Sequence, residues 1–140
     1  MGIISKKAGI EHIDTSIAIR LIVGDDPKNY LKAKKLISKK HKTFVLEDSA
    51  MMEVVFVLSK IYKYPREKVV AGINFISSFE NICCNKGLIE DSLNLYVKHP
   101  KLSFVDCYLT AATAISQETP LWTFDKTLAS KFPSVAKLLQ

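Results

Sequence analysis

Arginine is almost missing from this chain of 140 residues, in which Arg20 and Arg66 stand beside eighteen lysines. A carboxylate in an apolar setting therefore has few planar, bidentate partners to draw on. Zinc-type cysteine spacing is also missing. Cys83, Cys84 and Cys107 are odd in number with one adjacent pair, a poor disulfide framework, and they read as small buried residues in a reducing compartment. There is no long apolar run: the stretch from Ile17 to Val23 is short and carries Arg20, which excludes a membrane span or a good signal-peptide core and leaves the cytoplasm as the default location. No low-complexity segment and no convincing repeat interrupts the chain, whose length suits one domain with a sizeable core.

What the chain does have is an alternation of short strands and helices. The first ten residues, MGIISKKAGI, read as an extension, leaving 11–140 for the folded domain. Glu11 to Asp14 is expected to be a strand running into a helix that carries IAIRLIV. Asp26 and Pro27 suit the cap and first position of a second helix, with Lys28, Lys32, Lys35 and Lys39 along one side and Leu31 and Leu36 facing inward. Phe44 to Leu46 is a short strand before the helix SAMMEVVFVLSKIY; another helix starts near Pro65, and Phe79 to Cys84 is a weaker strand. Gly87 to Val97 is helical, Ser103 caps the helix FVDCYLTAATAISQ, and LWTF is the strand that delivers Asp125. Trp122 and Phe124 flank Thr123 with strand alternation, which favours a core role over an exposed stacking role. The tail FPSVAKLLQ supplies either a last strand or an edge cover. This order favours an α/β sandwich with a mostly parallel central sheet.

Four acids, Asp14, Glu53, Asp106 and Asp125, sit in or beside apolar segments with few other charges. Such acids are usually paired, protonated or metal-bound. Asp14 and Asp125 follow short strands, where open α/β sheets place ligand-binding groups; the alternative is that each merely caps the helix that follows. Glu53 shares an i, i+4, i+8 stripe with Val57 and Ile61. Asp106 shares a helix face with Leu109, Thr110, Thr113 and Gln117, whose small and hydroxyl side chains leave room for water, a metal or a phosphate oxygen. Carboxylates are hard ligands suited to Mg²⁺ or Mn²⁺. The net charge is +6, and setting the four acids aside leaves ten acids against twenty basic residues, a distribution suited to a phosphate backbone approaching a metal centre. His12 has the strand parity of Asp14 and could edge the same pocket, whereas His41 and His99 sit at element ends.

The segments IDTSIAIRL, SAMMEVVFVLSKIY, SFVDCYLTAA and LWTFDKTLA, in that order and spacing, resemble a PIN domain of the VapC-like toxin ribonuclease type over Glu11 to Ala129. The resemblance implies a PIN-like three-layer α/β/α sandwich, with Asp14, Glu53, Asp106 and Asp125 as the catalytic and metal-binding pocket. Thr15, Ser16 and Thr123 would support that pocket by hydrogen bonding, Ser16 standing where many relatives have asparagine. It further implies Mg²⁺- or Mn²⁺-dependent cleavage of RNA, a homodimer and a neutralising antitoxin. Two other readings stay open: a PIN nuclease of RNA maturation or quality control, and a catalytically silent RNA- or protein-binding domain.

Overall fold

The computed structural model describes residues 8–140, in two compact units that meet in sequence after Cys84. Most of the expected leader, residues 1–7, lies outside the described residues, and the first strand already begins at Ile10.

The unit ending at Cys84 is built on a three-stranded sheet of β1 (Ile10–His12), β2 (Thr43–Val45) and β3 (Ile82–Cys83), in that order and parallel throughout. Parallel neighbours need crossovers, and helices supply them. Helices α1 (Thr15–Val23) and α2 (Pro27–Ile37) lie between β1 and β2. Between β2 and β3 come α3 (Asp48–Phe56), a π-helical turn (Val57–Ile61) and α4 (Arg66–Ser77). Local chemistry sets the helix ends. Gly24, at φ +66°, closes α1 in the left-handed region that costs glycine little. The Asp26 carboxylate then accepts from the Asn29 N–H at 3.1 Å with Pro27 in the first turn of α2, as its sequence predicts.

The core of this unit is largely aliphatic: Ile19, Ile37, Phe44, Leu46, Met51, Val54, Leu58, Val69, Ile73, Ile76 and Ile82 are all buried. Gly72 permits the close approach of α4, because a Cβ there would stand 2.9 Å from Ile22 Cγ2 and 3.3 Å from Leu58 Cδ1. Leu31 departs from expectation and is 63% exposed. The buried positions of α2 are Ala33 and Ile37, four residues apart, so its inward stripe passes beside Leu31 rather than through it.

The second unit holds α5 (Lys86–Lys98), α6 (Phe104–Ser116), β4 (Leu121–Thr123), α7 (Lys126–Lys131) and β5 (Ala136–Leu138). Helices α5 and α6 pack on each other; Leu93, Tyr96, Phe104 and Cys107 are buried, and the Tyr96 and Phe104 rings meet edge to face at 5.7 Å. The C-terminal tail does form a strand, pairing β5 in parallel with β4 in the register Leu121 to Ala136, Trp122 to Lys137 and Thr123 to Leu138. That register corrects the core assignment of Trp122 and Phe124, which are 54% and 78% exposed. Alternation fixes that two residues share a face but not which face is buried. Here Ala136 is buried and Leu121, Thr123 and Leu138 are half-buried, so the face of β4 that carries Trp122 looks to solvent, and Phe124 lies in the bend just after the strand.

Among the described residues all the strand pairings are parallel, in keeping with the expected α/β class. Among the described residues no helix is long and apolar enough to cross a membrane. Among the described residues the cysteines form no disulfide, and only Cys107 is buried as expected; Cys83 is exposed and Cys84 is half-buried.

Candidate active site

Asp14 stands two residues beyond β1 and is the N-cap of α1. Its extended backbone, φ −97° and ψ −177°, turns the carboxylate back over the first turn. There Oδ1 accepts from the Ser16 hydroxyl at 2.6 Å and from the N–H groups of Ser16 and Ile17 at 3.0 and 3.3 Å. The Ser16 hydroxyl does most to hold the Asp14 carboxyl below the usual carboxylate range; desolvation opposes it, and the backbone N–H groups add to the lowering. Asp14 is thus an exposed carboxylate kept ionised. Thr15, by contrast, is buried and donates its hydroxyl to the Ala50 carbonyl at 3.3 Å. That bond ties the start of α1 to the turn of α3 just before Glu53.

Glu53 is exposed on α3, which corrects the apolar-stripe expectation. The chain widens into a π-helical turn after Phe56, so the i+8 spacing to Ile61 no longer follows one α-helical face, and Ile61 is exposed as well. One feature of this unit was not read from the sequence: His12 Nε2 and Glu47 Oε1 lie 3.0 Å apart. The register of β1 on β2 sets His12 opposite Val45, and only that pairing brings the ring near a residue thirty-five positions away.

In the second unit, Ser103 and Asp106 form a reciprocal capping box on α6. The Ser103 hydroxyl accepts from the Asp106 N–H at 3.1 Å, and Asp106 Oδ2 accepts from the Ser103 N–H at 3.3 Å. The neighbouring hydroxyls serve their own helix: Thr110 donates to the Asp106 carbonyl at 2.8 Å and Thr113 to the Leu109 carbonyl at 2.7 Å. Gln117 leaves the shared face, ending α6 at φ +62°. Asp125 caps α7, its Oδ1 accepting from the Leu128 N–H at 3.1 Å, while Thr123 Oγ1 accepts from the Asp125 N–H at 2.9 Å. Thr123 therefore shapes the turn that presents Asp125 and does not touch its carboxylate.

The capping reading of these acids thus has a geometric basis, but it occupies only one oxygen of each. Among the described residues, Asp14 Oδ2, Asp106 Oδ1 and Asp125 Oδ2 carry no hydrogen bond, and the Glu53 carboxylate carries none. A carboxylate has about four lone-pair sites, so a cap and a cation can share one group. Each unit brings two of the four acids, and neither by itself groups three or more His, Cys, Asp or Glu side chains as a metal-holding cluster among the described residues. The donor chemistry, hard oxygens with at least one held ionised, fits a hard divalent cation.

Parallel strands joined by helices, with acids just beyond β1 and β4, define the class of protein. The profile of the PIN domain family matches residues 12–135, and the chain belongs to that family. Among solved structures, the chain is similar to Mycobacterium tuberculosis VapC20, a Sarcin-Ricin loop cleaving toxin. The likeness has 19% sequence identity, covers 87% of this chain and 94% of that one, and has a TM-score of 0.41. No curated protein matches the chain.

Proposed function

We propose that this PIN domain is a divalent-metal-dependent endoribonuclease and the toxin of a toxin–antitoxin pair. The observation that supports this most is the set of uncommitted carboxylate oxygens on Asp14, Glu53, Asp106 and Asp125 in a member of the PIN family. The basic surplus of the rest of the chain, with a net charge of +6, suits a polyanionic substrate. On this reading residues 11–140 work as one nuclease domain with 1–10 as an extension. The protein acts in the cytoplasm as a homodimer, and an antitoxin blocks RNA entry. The toxin assignment rests on the VapC-like sequence segments, and the nuclease assignment on the acids.

In the reaction, water attacks a backbone phosphorus and one bridging P–O bond breaks, leaving a phosphate on one fragment and a hydroxyl on the other. Asp14, Glu53, Asp106 and Asp125 would hold Mg²⁺ or Mn²⁺, which when bound offsets phosphate charge and lowers the pKa of water. Ser16 keeps the Asp14 carboxylate charged and oriented. The capping bonds of Asp106 and Asp125 fix one oxygen of each, so the remaining oxygen is aimed by a rigid helix start rather than by a free rotor. Thr15 and Thr123 hold the backbone around Asp14 and Asp125.

The test is incubation of a cellular RNA pool with purified protein, with and without Mg²⁺ or Mn²⁺, with fragment ends mapped and an Asp106→Asn variant alongside. Metal-dependent cleavage lost in the variant is the expected result. Absence of cleavage under every metal condition overturns the nuclease reading in favour of a silent binding domain. Cleavage without growth inhibition, and without a complex with the product of a neighbouring gene, moves the assignment from toxin to RNA processing.

A further inference from the structure

The outward face of β4 and β5 is unusual for an exposed surface. Trp122, the only tryptophan of the chain, is 54% exposed, and Phe124, two residues on, is 78% exposed. Indole and phenyl side chains contribute most when they are covered, and single exposed apolar residues need no explanation. Two exposed aromatic rings within three residues, directly before a candidate catalytic acid, do call for one.

Charge indicates what covers them. Lys137, cross-strand from Trp122 in the β4–β5 register, sets its Nζ 5.4 Å from the centroid of the Trp122 ring, within cation–π range. Lys126 follows Asp125 directly, and residues 119–140 carry three lysines against the single acid Asp125. An apolar protein surface would gain little from a neighbouring cation. A polyanion with flat, stackable groups would use both features, because aromatic side chains stack on unpaired bases while lysines follow the phosphates. Trp122 stands on β4 and Phe124 in the bend that follows it, so two exposed rings flank the segment leading to Asp125.

From these observations we infer that Trp122 and Phe124, with Lys137, form a stacking platform for unpaired bases of single-stranded RNA next to the position of Asp125. The inference rests on the nuclease reading for its choice of RNA, but it assigns a binding role to residues outside the acidic set. The platform selects unpaired over paired segments, because bases in a duplex offer no free face to the rings.

Trp122 reports on its own site, as no other indole contributes fluorescence. The full-length protein is titrated in chelator, where RNA is expected to stay intact, with a single-stranded oligoadenylate, a duplex of equal length and inorganic polyphosphate of matched charge. Oligoadenylate should quench the Trp122 emission, the duplex and polyphosphate should quench it far less, and Phe124→Ala should weaken oligoadenylate binding by about tenfold. Equal quenching by polyphosphate, or unchanged affinity in Phe124→Ala, overturns the platform. So does absence of quenching, and if Trp122→Ala then converts a dimer to a monomer in sedimentation, the face belongs to a second copy of the chain. The two readings fail separately: wild-type cleavage without quenching removes the platform and leaves the nuclease, whereas quenching without cleavage under any metal condition removes the nuclease and leaves a single-stranded RNA binder.

Discussion

Asp14 offers the sharpest separation of capping from catalysis, because asparagine and alanine remove different things. Asparagine can keep the cap, since its amide oxygen can accept the same N–H bonds from Ser16 and Ile17 and it ranks with aspartate as an N-cap. It loses only the charge facing the α1 dipole, worth about 0.3–1 kcal/mol at an exposed site. Alanine loses the bonds as well, for a total of about 1–2 kcal/mol, or about 3–6 °C in melting temperature for a chain of this size. Catalysis should order the variants differently. If the Asp14 carboxylate helps hold the cation, both variants should lose at least about 100-fold in RNA cleavage, equivalent to about 2.7 kcal/mol of transition-state stabilisation. The assay pairs thermal melts by circular dichroism with initial cleavage rates at matched metal concentration. Wild-type turnover in Asp14→Asn would refute the catalytic assignment and leave Asp14 a helix cap. A loss of stability in Asp14→Asn as large as in Asp14→Ala would refute the claim that the cap survives without the charge.

Replacing Ser16 with alanine removes the hydroxyl that does most to lower the Asp14 pKa, so that pKa should rise toward 3.8. The stability Asp14 contributes is present above its unfolded pKa and lost as pH falls through the folded one, so acid unfolding of Ser16→Ala, followed by circular dichroism, should begin at a higher pH than in the wild type; an unmoved acid limb would remove Ser16 from that role. Chelation with EDTA should abolish cleavage and added Mg²⁺ or Mn²⁺ should restore it, with no restoration in Asp125→Asn; full activity after exhaustive chelation would contradict the metal reading. Gly72→Val should destabilise the fold by about 1–3 kcal/mol in urea titration, because its Cβ would already stand 2.9 Å from Ile22 Cγ2; an unchanged midpoint would show that α4 can move away without loss.

Local chemistry carried much of this fold into the sequence. The Asp26–Pro27 start of α2 and the Ser103 cap of α6 depend on residues within a few positions of one another, and such interactions form wherever the segment lies. The candidate acids were legible for a similar reason: carboxylates flanked by apolar residues stand out without a structure, and the PIN family match agrees with the resemblance their segments carry. Tertiary structure decided which faces are covered and which groups meet. Alternation suggested that Trp122 and Phe124 share a covered side of one strand, but β4 ends at Thr123 and both residues are exposed. The π-helical turn at Val57–Ile61 altered the stripe that linked Glu53 to Ile61, a change of helical pitch that hydrophobic periodicity does not encode. The His12–Glu47 pair needed β1 in register on β2. Whether a capping aspartate keeps an oxygen to spare depends on side-chain rotamer and the donors around it, which composition and spacing do not specify. That is why Asp14 and Asp125 could be read from the sequence either as caps or as ligands.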